Sequence, residues 1–314
     1  MPPVTLSGVS KNLFFVGLIL AASGRLPPPL ALAAGLVFGL TATHPCPLDS
    51  RRLSSFLLQA SVVGLGFGMN LTQVMEVGRS GFAYTAISIS VAMILGLALG
   101  RLLRVEHTCS FLITVGTAIC GGSAIAAVGP IANATEGEMA VSLSTVFVLN
   151  SVALLLFPLV GWAVHLNQTQ FGLWAALAIH DTSSVVGATS KYGAVALAVG
   201  TTVKLARSLW IVPLSVVTSI LRKSKASIRW PWFIGLFCIA ASLNTYLAGF
   251  RYVWEVLNHL GKLGLTVTLF LIGTALSKST LREVGVRPLL QGALLWAILA
   301  VSSIELILHG WIAL

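Results

Sequence analysis

Apolar residues recur along this chain in long blocks, separated by short connections that are polar or contain proline. Most of these blocks are long enough to enter a lipid bilayer as a helix, and their apolar residues are not confined to one helical stripe. The pattern predicts an all-α polytopic membrane protein with about 9–11 membrane segments, two of which are broken or re-entrant helices. The predicted segments are 12–23, 28–43, 52–70, 80–102, 109–129, 137–165, 171–189, 193–221, 230–248, 261–276 and 285–313.

The composition supports this class and leaves room for one domain. Hydrophobic residues make up 56% of the 314 residues and charged residues 9%, a balance that no soluble globular domain requires. A porin-type barrel would instead show alternating segments of about ten residues. We expect a single transmembrane domain over residues 1–314, with repeat-like halves at about 28–165 and 171–313 and a basic cytoplasmic loop at 222–229.

The formal net charge of +10 predicts an orientation in the membrane and not a nucleic-acid partner, because the basic residues lie mostly between apolar blocks. The connections after segments two, four, eight and ten hold eleven lysines and arginines, against five in the opposite connections. Since positive residues are retained in the cytoplasm, the N-terminus is predicted to be cytoplasmic and the C-terminus to lie outside.

Two pairs of similar stretches within the sequence predict inverted repeats, the usual architecture of secondary transporters. Residues 68–78 resemble 273–285, and 120–125 followed by Pro158 resemble 181–186 followed by Pro213. The copies of the second pair lie two segments apart, so they are inverted only when segments five and seven enter the membrane and return as hairpins. The alternative is that both segments cross the membrane as broken helices.

Ionisable residues interrupt the apolar blocks between residues 170 and 221. Such a residue costs at least a few kcal/mol at bilayer depth, so it usually faces a cavity, a partner or a substrate. Asp181 is expected to form a coupling-ion site, with His180 as a proton relay. The alternatives are a structural ion pair between Asp181 and Lys204 or Arg207, and a hydrogen-bonded packing role for His180.

Lys204 and Arg207 are three residues apart and therefore share one face of a helix. Two cations on one face at bilayer depth predict an anion between them or a carboxylate opposite them. Arginine suits the bidentate recognition of oxyanions, which favours the anion. The alternative is that both side chains extend to the membrane surface, but they lie too far from either end of their segment to favour it.

Gly121 and Gly122 predict a helix break whose second half begins near Ser123. The start of a helix presents free N–H groups and a partial positive charge, which suits an anion. Ser123 and Ser183 are expected to be N-caps that face each other across the site, with Thr182 as a further polar group. The alternative is a glycine pair that only allows close helix packing.

Other polar residues carry weaker predictions. Asn150 is expected to hydrogen-bond between helices, and Glu305 with His309 is expected to form a local pair. The four cysteines lack CxxC spacing and are read as buried small residues. No phosphate-binding GxxxxGK[ST] loop, HExxH motif or carboxylate cluster is present in the sequence, so we predict no enzyme activity, no catalytic residues, no metal and no cofactor.

Three stretches resemble the YeiH-type family of bacterial inner-membrane proteins, which are often named sulfate exporters. They are GTAICGGSAI at 116–125, IHDTSSVV at 179–186 and KLAR at 204–207 followed by Pro213. The resemblance extends over roughly residues 30–313 and implies the inverted-repeat group that includes sodium/proton antiporters and bile-acid symporters. It also implies location in the bacterial inner membrane. The site residues it implies are Cys120, Gly121, Ser123, His180, Asp181, Thr182, Lys204 and Arg207.

The function expected from these features is secondary transport of a small anion, a sulfur oxyanion or sulfonate, by alternating access coupled to a proton or sodium ion. Lys204, Arg207 and the helix start near Ser123 would hold the anion, and Asp181 with His180 would handle the coupling ion. The rival functions are a sodium/proton antiporter-like cation transporter and an anion channel. The expected partners are the anionic solute, the lipid bilayer, a proton or sodium ion and, in a homodimer, a second copy of the chain; no nucleic acid is expected.

Overall fold

The computed structural model of the chain describes residues 4–42, 47–222, 232–274 and 285–312, and every regular element in these ranges is a helix. Two predicted features lie mostly outside the described residues. One is the basic loop at 222–229, of which Arg222 is described, and the other is the stretch at 273–285 that resembles residues 68–78. The α-helices are α1 (Val4–Ala22), α2 (Pro28–Thr41), α3 (Pro47–Gly66), α4 (Leu71–Leu102), α5 (His107–Ala118), α6 (Gly122–Val128), α7 (Glu136–Ala163), α8 (Gln168–Ala178), α9 (Thr182–Tyr192), α10 (Ala194–Ser208), α11 (Ile211–Arg222), α12 (Trp232–Tyr246), α13 (Arg251–Thr274) and α14 (Val286–Leu308).

The predicted class of all-α polytopic membrane protein is confirmed. Five stretches of helix within the described residues are long and apolar enough to cross a membrane, and three shorter apolar helices accompany them. The long stretches are Tyr84–Leu102, Gly137–Ala163, Ala194–Arg222, Arg251–Thr274 and Val286–Leu308. Ala194–Arg222 is interrupted by a turn at Leu209 and Trp210, between α10 and α11.

Two predicted boundaries are wrong by about ten residues. The segment predicted at 261–276 begins at Arg251, and the segment predicted at 80–102 begins at Leu71. In both cases the additional turns contain polar residues, such as Glu255 and Glu76, which ended the apolar block without ending the helix. Hydropathy therefore located the apolar part of each helix and missed its polar extension.

The chain forms two compact units. The first takes its residues from Met1–Val74 and Trp232–Ser279, and the second from Met75–Pro231 and Thr280–Leu314. The predicted division into repeat-like halves at 28–165 and 171–313 stays a prediction.

In the first unit, α13 packs against both α2 and α3, and glycines allow the close approach. A β-carbon added to Gly261 would lie 2.9 Å from the Cα of Gly64 on α3, and one added to Gly35 on α2 would lie 3.1 Å from the Cα of Gly273. Small residues at such crossings bring helix backbones together, and this packing stabilises helices in lipid. Asn258 adds a hydrogen bond of 3.2 Å from its side-chain amide to the carbonyl of Leu65.

In the second unit, the segment predicted at 109–129 enters and returns on the same side. The helix α5 is only about 18 Å long, which is too short to cross a bilayer, and the shorter α6 follows the break at its end. The N-terminal ends of α5 and α7 lie side by side, since the hydroxyl of Ser142 in the second turn of α7 contacts the backbone carbonyl of Cys109 at 3.4 Å. One surface cavity of about 350 Å³ is lined by Arg104, Glu106, Gly137 and Arg287, among others.

The segment predicted at 171–189 also enters and returns, at the opposite end of the long helix α7. The Tyr192 hydroxyl at the end of α9 donates a 2.7 Å hydrogen bond to the carbonyl of Leu166, which precedes α8. The backbone N–H of Val195 at the start of α10 donates to Oε1 of Gln168 at the start of α8, at 3.0 Å. Both segments therefore fold back on themselves as hairpins, each with its two ends side by side, which favours re-entrant hairpins over ordinary crossing.

These two hairpins give the second unit its inverted repeat. The first hairpin (α5 and α6) is followed by the long helix α7, and the second hairpin (α8 and α9) is followed by α10 and α11. The two hairpins enter from opposite ends. At the end where the first hairpin begins, Arg104 and Arg287 both line the 350 Å³ cavity. Nη2 of Arg222 lies 3.4 Å from Nδ1 of His107, at the start of α5. Arg104, Arg222 and Arg287, which border the connections after segments four, eight and ten, therefore lie at one end of the second unit.

Candidate functional site

The tip of the first hairpin is the three-residue break between α5 and α6. Gly121 has φ 67° and ψ −131°, a conformation that a residue with a β-carbon adopts only under strain. This explains why the sequence places glycine there. The break exposes the last carbonyls of α5, including that of Ala118, which a helix cannot satisfy internally.

The tip of the second hairpin is the break between α8 and α9. Asp181 is extended, with φ −101° and ψ 158°, and it is the N-cap of α9. Its Oδ1 accepts a 2.9 Å hydrogen bond from the backbone N–H of Ser184, and its Oδ2 accepts one from the hydroxyl of Ser183. An aspartate at this position also complements the partial positive charge of the helix start, so the buried carboxylate is well stabilised.

The two tips touch each other inside the second unit. A β-carbon added to Gly121 would lie 3.0 Å from the Cβ and 3.4 Å from the Cα of Asp181. Cys120 and His180, which precede these residues, are 2% and 0% exposed. The meeting point is therefore a buried, non-helical region to which both hairpins contribute.

Lys204 and Arg207, both on α10 and both fully buried, bind the carbonyl ends of the two half-helices. Arg207 donates from Nε to the carbonyl of Ala118 and from Nη1 to that of Leu177, both at 2.7 Å. Arg207 therefore joins α5 to α8. Lys204 donates from Nζ to the carbonyl of Ile179 at 2.6 Å, with Ala176 more distant at 3.4 Å.

Neither cation forms an ion pair with Asp181. Arg251–Glu255 and the predicted local pair His309–Glu305 are ion pairs in the described part of the chain, and both are exposed. The sequence predicts an anion or a carboxylate as the partner of the cations, whereas the hydrogen-bond partners that the structure shows are backbone carbonyls. The reason is physical, because the carboxyl end of a helix carries partial negative charge that attracts cations.

The charges at the tips do not cancel. Lys204 and Arg207 contribute two positive charges and Asp181 contributes one negative charge, which leaves one positive charge in excess when all three are ionised. The two helix starts and the two helix ends at the tips carry partial charges of opposite sign, each about half an elementary charge, so their sum is close to zero. In addition, Nη2 of Arg207 is buried and has no hydrogen-bond partner among the described residues.

The structure brings most of the predicted site residues together, but not Ser123. Thr182 and Ser183 are buried in the first turn of α9, whereas Gly122 is half-buried and Ser123 is exposed. The expectation that Ser123 and Ser183 are N-caps is wrong, because those positions belong to Gly121 and Asp181. In each hairpin the sequence correctly predicts the helix break, but the predicted N-cap lies two residues after the observed one.

Two side chains beside the second tip were not predicted to be part of the site. His180 Nδ1 lies 3.2 Å from Oδ1 of Asn150 on α7, and the His180 ring lies 6.3 Å from that of Trp296 on α14, between ring centroids. For Asn150 the sequence favours a hydrogen bond between helices over a ligand role. No local motif marks Trp296, since tryptophan in an apolar block is ordinary, and only the fold brings it to His180.

Comparison with known sequences identifies close relatives. A family described as conserved hypothetical protein 698 matches residues 26–292. A UPF0324 membrane protein of Geobacter sulfurreducens is 46% identical over 307 residues, which covers 98% of this chain and 99% of that protein. UPF0324 membrane proteins of Bacteroides thetaiotaomicron and Porphyromonas gingivalis are 48% and 51% identical, covering 91% and 90% of this chain and 88% and 87% of theirs. No solved structure matches the chain.

Proposed function

The chain belongs to the conserved hypothetical protein 698 family of membrane proteins, and we propose that it is a secondary transporter of a small anion. The observation that carries the proposal is the pair of fully buried cations, Lys204 and Arg207, against the single carboxylate of Asp181 where two opposed hairpins meet. Location in the bacterial inner membrane, with the N-terminus cytoplasmic, is part of the proposal.

Transport is supported by the backbone at the two tips. Non-helical backbone at membrane depth is tolerated only where it is buried in protein or lines a path for solute. Inverted repeats with broken helices that meet near the bilayer midplane are the architecture in which secondary transporters bind their substrates. Alternating access then requires a modest movement of one hairpin relative to the other, which opens the tips to one side at a time.

An anion is supported by the charge balance. One excess positive charge in a buried region is costly, and an anion of one negative charge would remove that cost. Arg207 has one guanidinium nitrogen, Nη2, that is not used by the carbonyls of the half-helices. Guanidinium groups donate well to oxyanions, so sulfur oxyanions and sulfonates, which the resemblance to sulfate exporters also implies, are the first candidates.

Coupling to a proton or a sodium ion is assigned to Asp181. Its carboxylate opposes the two cations when the anion is absent, and both of its oxygens already accept hydrogen bonds. Binding of a coupling ion would therefore have to weaken the N-cap of α9. This links the ion to the conformation of the second tip, which is what alternating access requires.

The test is counterflow of a radiolabelled anion in proteoliposomes that contain the purified protein. Sulfate, sulfite, thiosulfate, taurine and carboxylates form the panel, and each is also tested for a rise in the apparent Tm of the detergent-solubilised protein. Saturable counterflow with at least one of these anions is expected. Replacing Arg207 by lysine, which keeps the charge but offers one donor nitrogen in place of three, should reduce counterflow at least tenfold.

Arg251→Lys is the matched control, because Arg251 is exposed and belongs to a surface ion pair, and it should transport like the unaltered protein. Flux that requires sodium or a pH gradient but no added anion would contradict the proposal and favour a sodium/proton antiporter-like activity. Large ohmic currents without counterflow would favour a channel.

A further inference from the structure

We propose that Asn150, His180 and Trp296 form a second binding station, which selects oxyanions that also carry a hydroxyl group. The station lies beside the tip of the second hairpin, between α7 and α14, and it deepens the proposed function, on which it rests. Each of the three side chains comes from a different element of the second unit, namely α7, the break after α8, and α14.

The three side chains each present a buried polar atom that has no hydrogen-bond partner within the described ranges. These atoms are Nδ2 of Asn150, Nε2 of His180 and Nε1 of Trp296. Asn150 and His180 are 3% and 0% exposed. Buried polar groups in folded proteins are almost always hydrogen-bonded, so three unpartnered groups in one contact cluster point to a bound solute.

The side chains are also in contact with one another. The Asn150 amide and the His180 imidazole share a hydrogen bond of 3.2 Å, and the rings of His180 and Trp296 are 6.3 Å apart. Phe157 stacks on Trp174 at 4.1 Å and on Trp296 at 5.9 Å, so an aromatic row holds the indole of Trp296 in place. The positions of the three polar groups are therefore fixed by packing.

In the proposed station the imidazole of His180 is neutral. It is fully buried, and it follows Ile179, whose carbonyl already binds the ammonium group of Lys204. A further positive charge at this place would be opposed by both desolvation and repulsion. A neutral imidazole has one donor nitrogen and one acceptor nitrogen, so the hydrogen bond with Asn150 determines what the remaining atoms offer.

The balance of free donors and acceptors is the same for either orientation of the Asn150 amide. When Nδ1 of His180 donates to Oδ1 of Asn150, the free groups are the Asn150 N–H₂, the Trp296 N–H and the Nε2 lone pair. When the amide is reversed, they are the Asn150 carbonyl oxygen, the Trp296 N–H and the Nε2–H. Both arrangements offer donors on two side chains and an acceptor on the third.

This set of groups defines the class of solute. The donors bind the oxygens of an oxyanion, and the acceptor binds a hydrogen that a fully deprotonated oxyanion such as sulfate does not possess. A site that hydrogen-bonds a substrate hydroxyl rejects the analogue without it, because its own polar group is then left unpaired. Hydroxyalkanesulfonates and hydrogen sulfite satisfy all three groups.

The experiment compares isethionate with ethanesulfonate, which differ by one hydroxyl group, for binding and counterflow in the full-length protein. Isethionate is expected to bind at least tenfold more tightly. Trp296→Phe, which removes one donor and keeps the aromatic row, should weaken both ligands about fivefold or more and raise the Tm of the ligand-free protein. Trp254→Phe is the matched control, since the Trp254 N–H donates a 3.0 Å hydrogen bond to the Leu247 carbonyl and its ring stacks on Phe67, outside the station.

The control should lower the Tm and leave the preference for isethionate unchanged. Two results would contradict the station and leave the proposed function standing. One is counterflow of these sulfonates without a preference for the hydroxyl group. The other is a preference for isethionate combined with binding that Trp296→Phe does not weaken. Absence of counterflow with every anion of the wider panel would overturn the proposed function together with the station.

Discussion

Nε of Arg207 donates a 2.7 Å hydrogen bond to the carbonyl of Ala118, so a side chain on α10 completes the end of α5, a helix 89 residues earlier in the chain. The same guanidinium binds α8 through Leu177. A single residue of the second repeat therefore holds the open helix ends of both hairpins. This arrangement makes Arg207 structural as well as a candidate ligand, and the two roles can be separated by experiment.

Replacing Arg207 by methionine should lower the free energy of unfolding by about 2–6 kcal/mol, because two buried carbonyls each lose a partner at about 1–3 kcal/mol. The measurement is thermal or denaturant unfolding of the purified protein in detergent. Arg251→Met serves as the control, since an exposed ion pair contributes little. Equal stability of the two variants would show that the contacts of Arg207 with Ala118 and Leu177 do not stabilise the fold.

Gly121→Ala should destabilise the protein by about 1–3 kcal/mol. The added methyl group meets both a backbone conformation that favours glycine and the Cβ of Asp181 at 3.0 Å. Gly137→Ala is the matched control, because it is in the first turn of α7 and its added methyl group would meet no atom within 4 Å. We expect the control to be neutral or slightly stabilising, and a Gly121→Ala protein as stable as the control would contradict contact between the tips.

Asp181→Asn should preserve the fold, because asparagine is as good an N-cap as aspartate. It removes the negative charge that opposes Lys204 and Arg207, so the apparent affinity for the transported anion should rise several-fold while coupling to a proton or sodium gradient is lost. Ser190→Ala, on the same helix, is a control outside the tip. Coupled transport by Asp181→Asn at the normal rate would remove Asp181 from the coupling step and leave it as a cap.

The hairpins can be tested with single cysteines introduced into a protein whose native cysteines have been replaced. Arg104→Cys and Gly137→Cys should react with a membrane-impermeant reagent from one side of the membrane, and Gln168→Cys and Lys191→Cys from the other side. The first pair brackets the first hairpin and the second pair brackets the second. Labelling of the two members of either pair from opposite sides would mean that the segment between them crosses the bilayer.

Much of the fold could be predicted because membrane segments are encoded locally. Apolar blocks located the helices, and the glycine pair at 121 and 122 and the polar run after His180 located the two breaks. Parity of the repeats even suggested the hairpins. The sequence could not show which groups accept the hydrogen bonds of the buried polar side chains. Lys204 and Arg207 signal buried charge, but their acceptors are backbone carbonyls, which every residue possesses.

The same limit applies to the caps and to Trp296. Serine is a favoured N-cap, so Ser123 and Ser183 were reasonable predictions, yet Gly121 begins the turn earlier and Asp181 competes more strongly for the free N–H groups of α9. The proximity of Trp296 to His180 depends on how α14 packs against α7 and α8, more than a hundred residues away in the chain. Only the packing of the second unit reveals it.

The similar depth of the two hairpins has an electrical consequence. The entering helices α5 and α8 are about 18 Å and 16 Å long, so their tips meet near the middle of a bilayer whose core is about 30 Å thick. A unit charge at that place has crossed about half of the transmembrane voltage, or roughly 1.2 of the 2.3 kcal/mol that 100 mV supplies. Exchange of two equally charged anions would be insensitive to voltage, whereas an interior-negative potential would drive a lone anion out of the cell in two nearly equal steps.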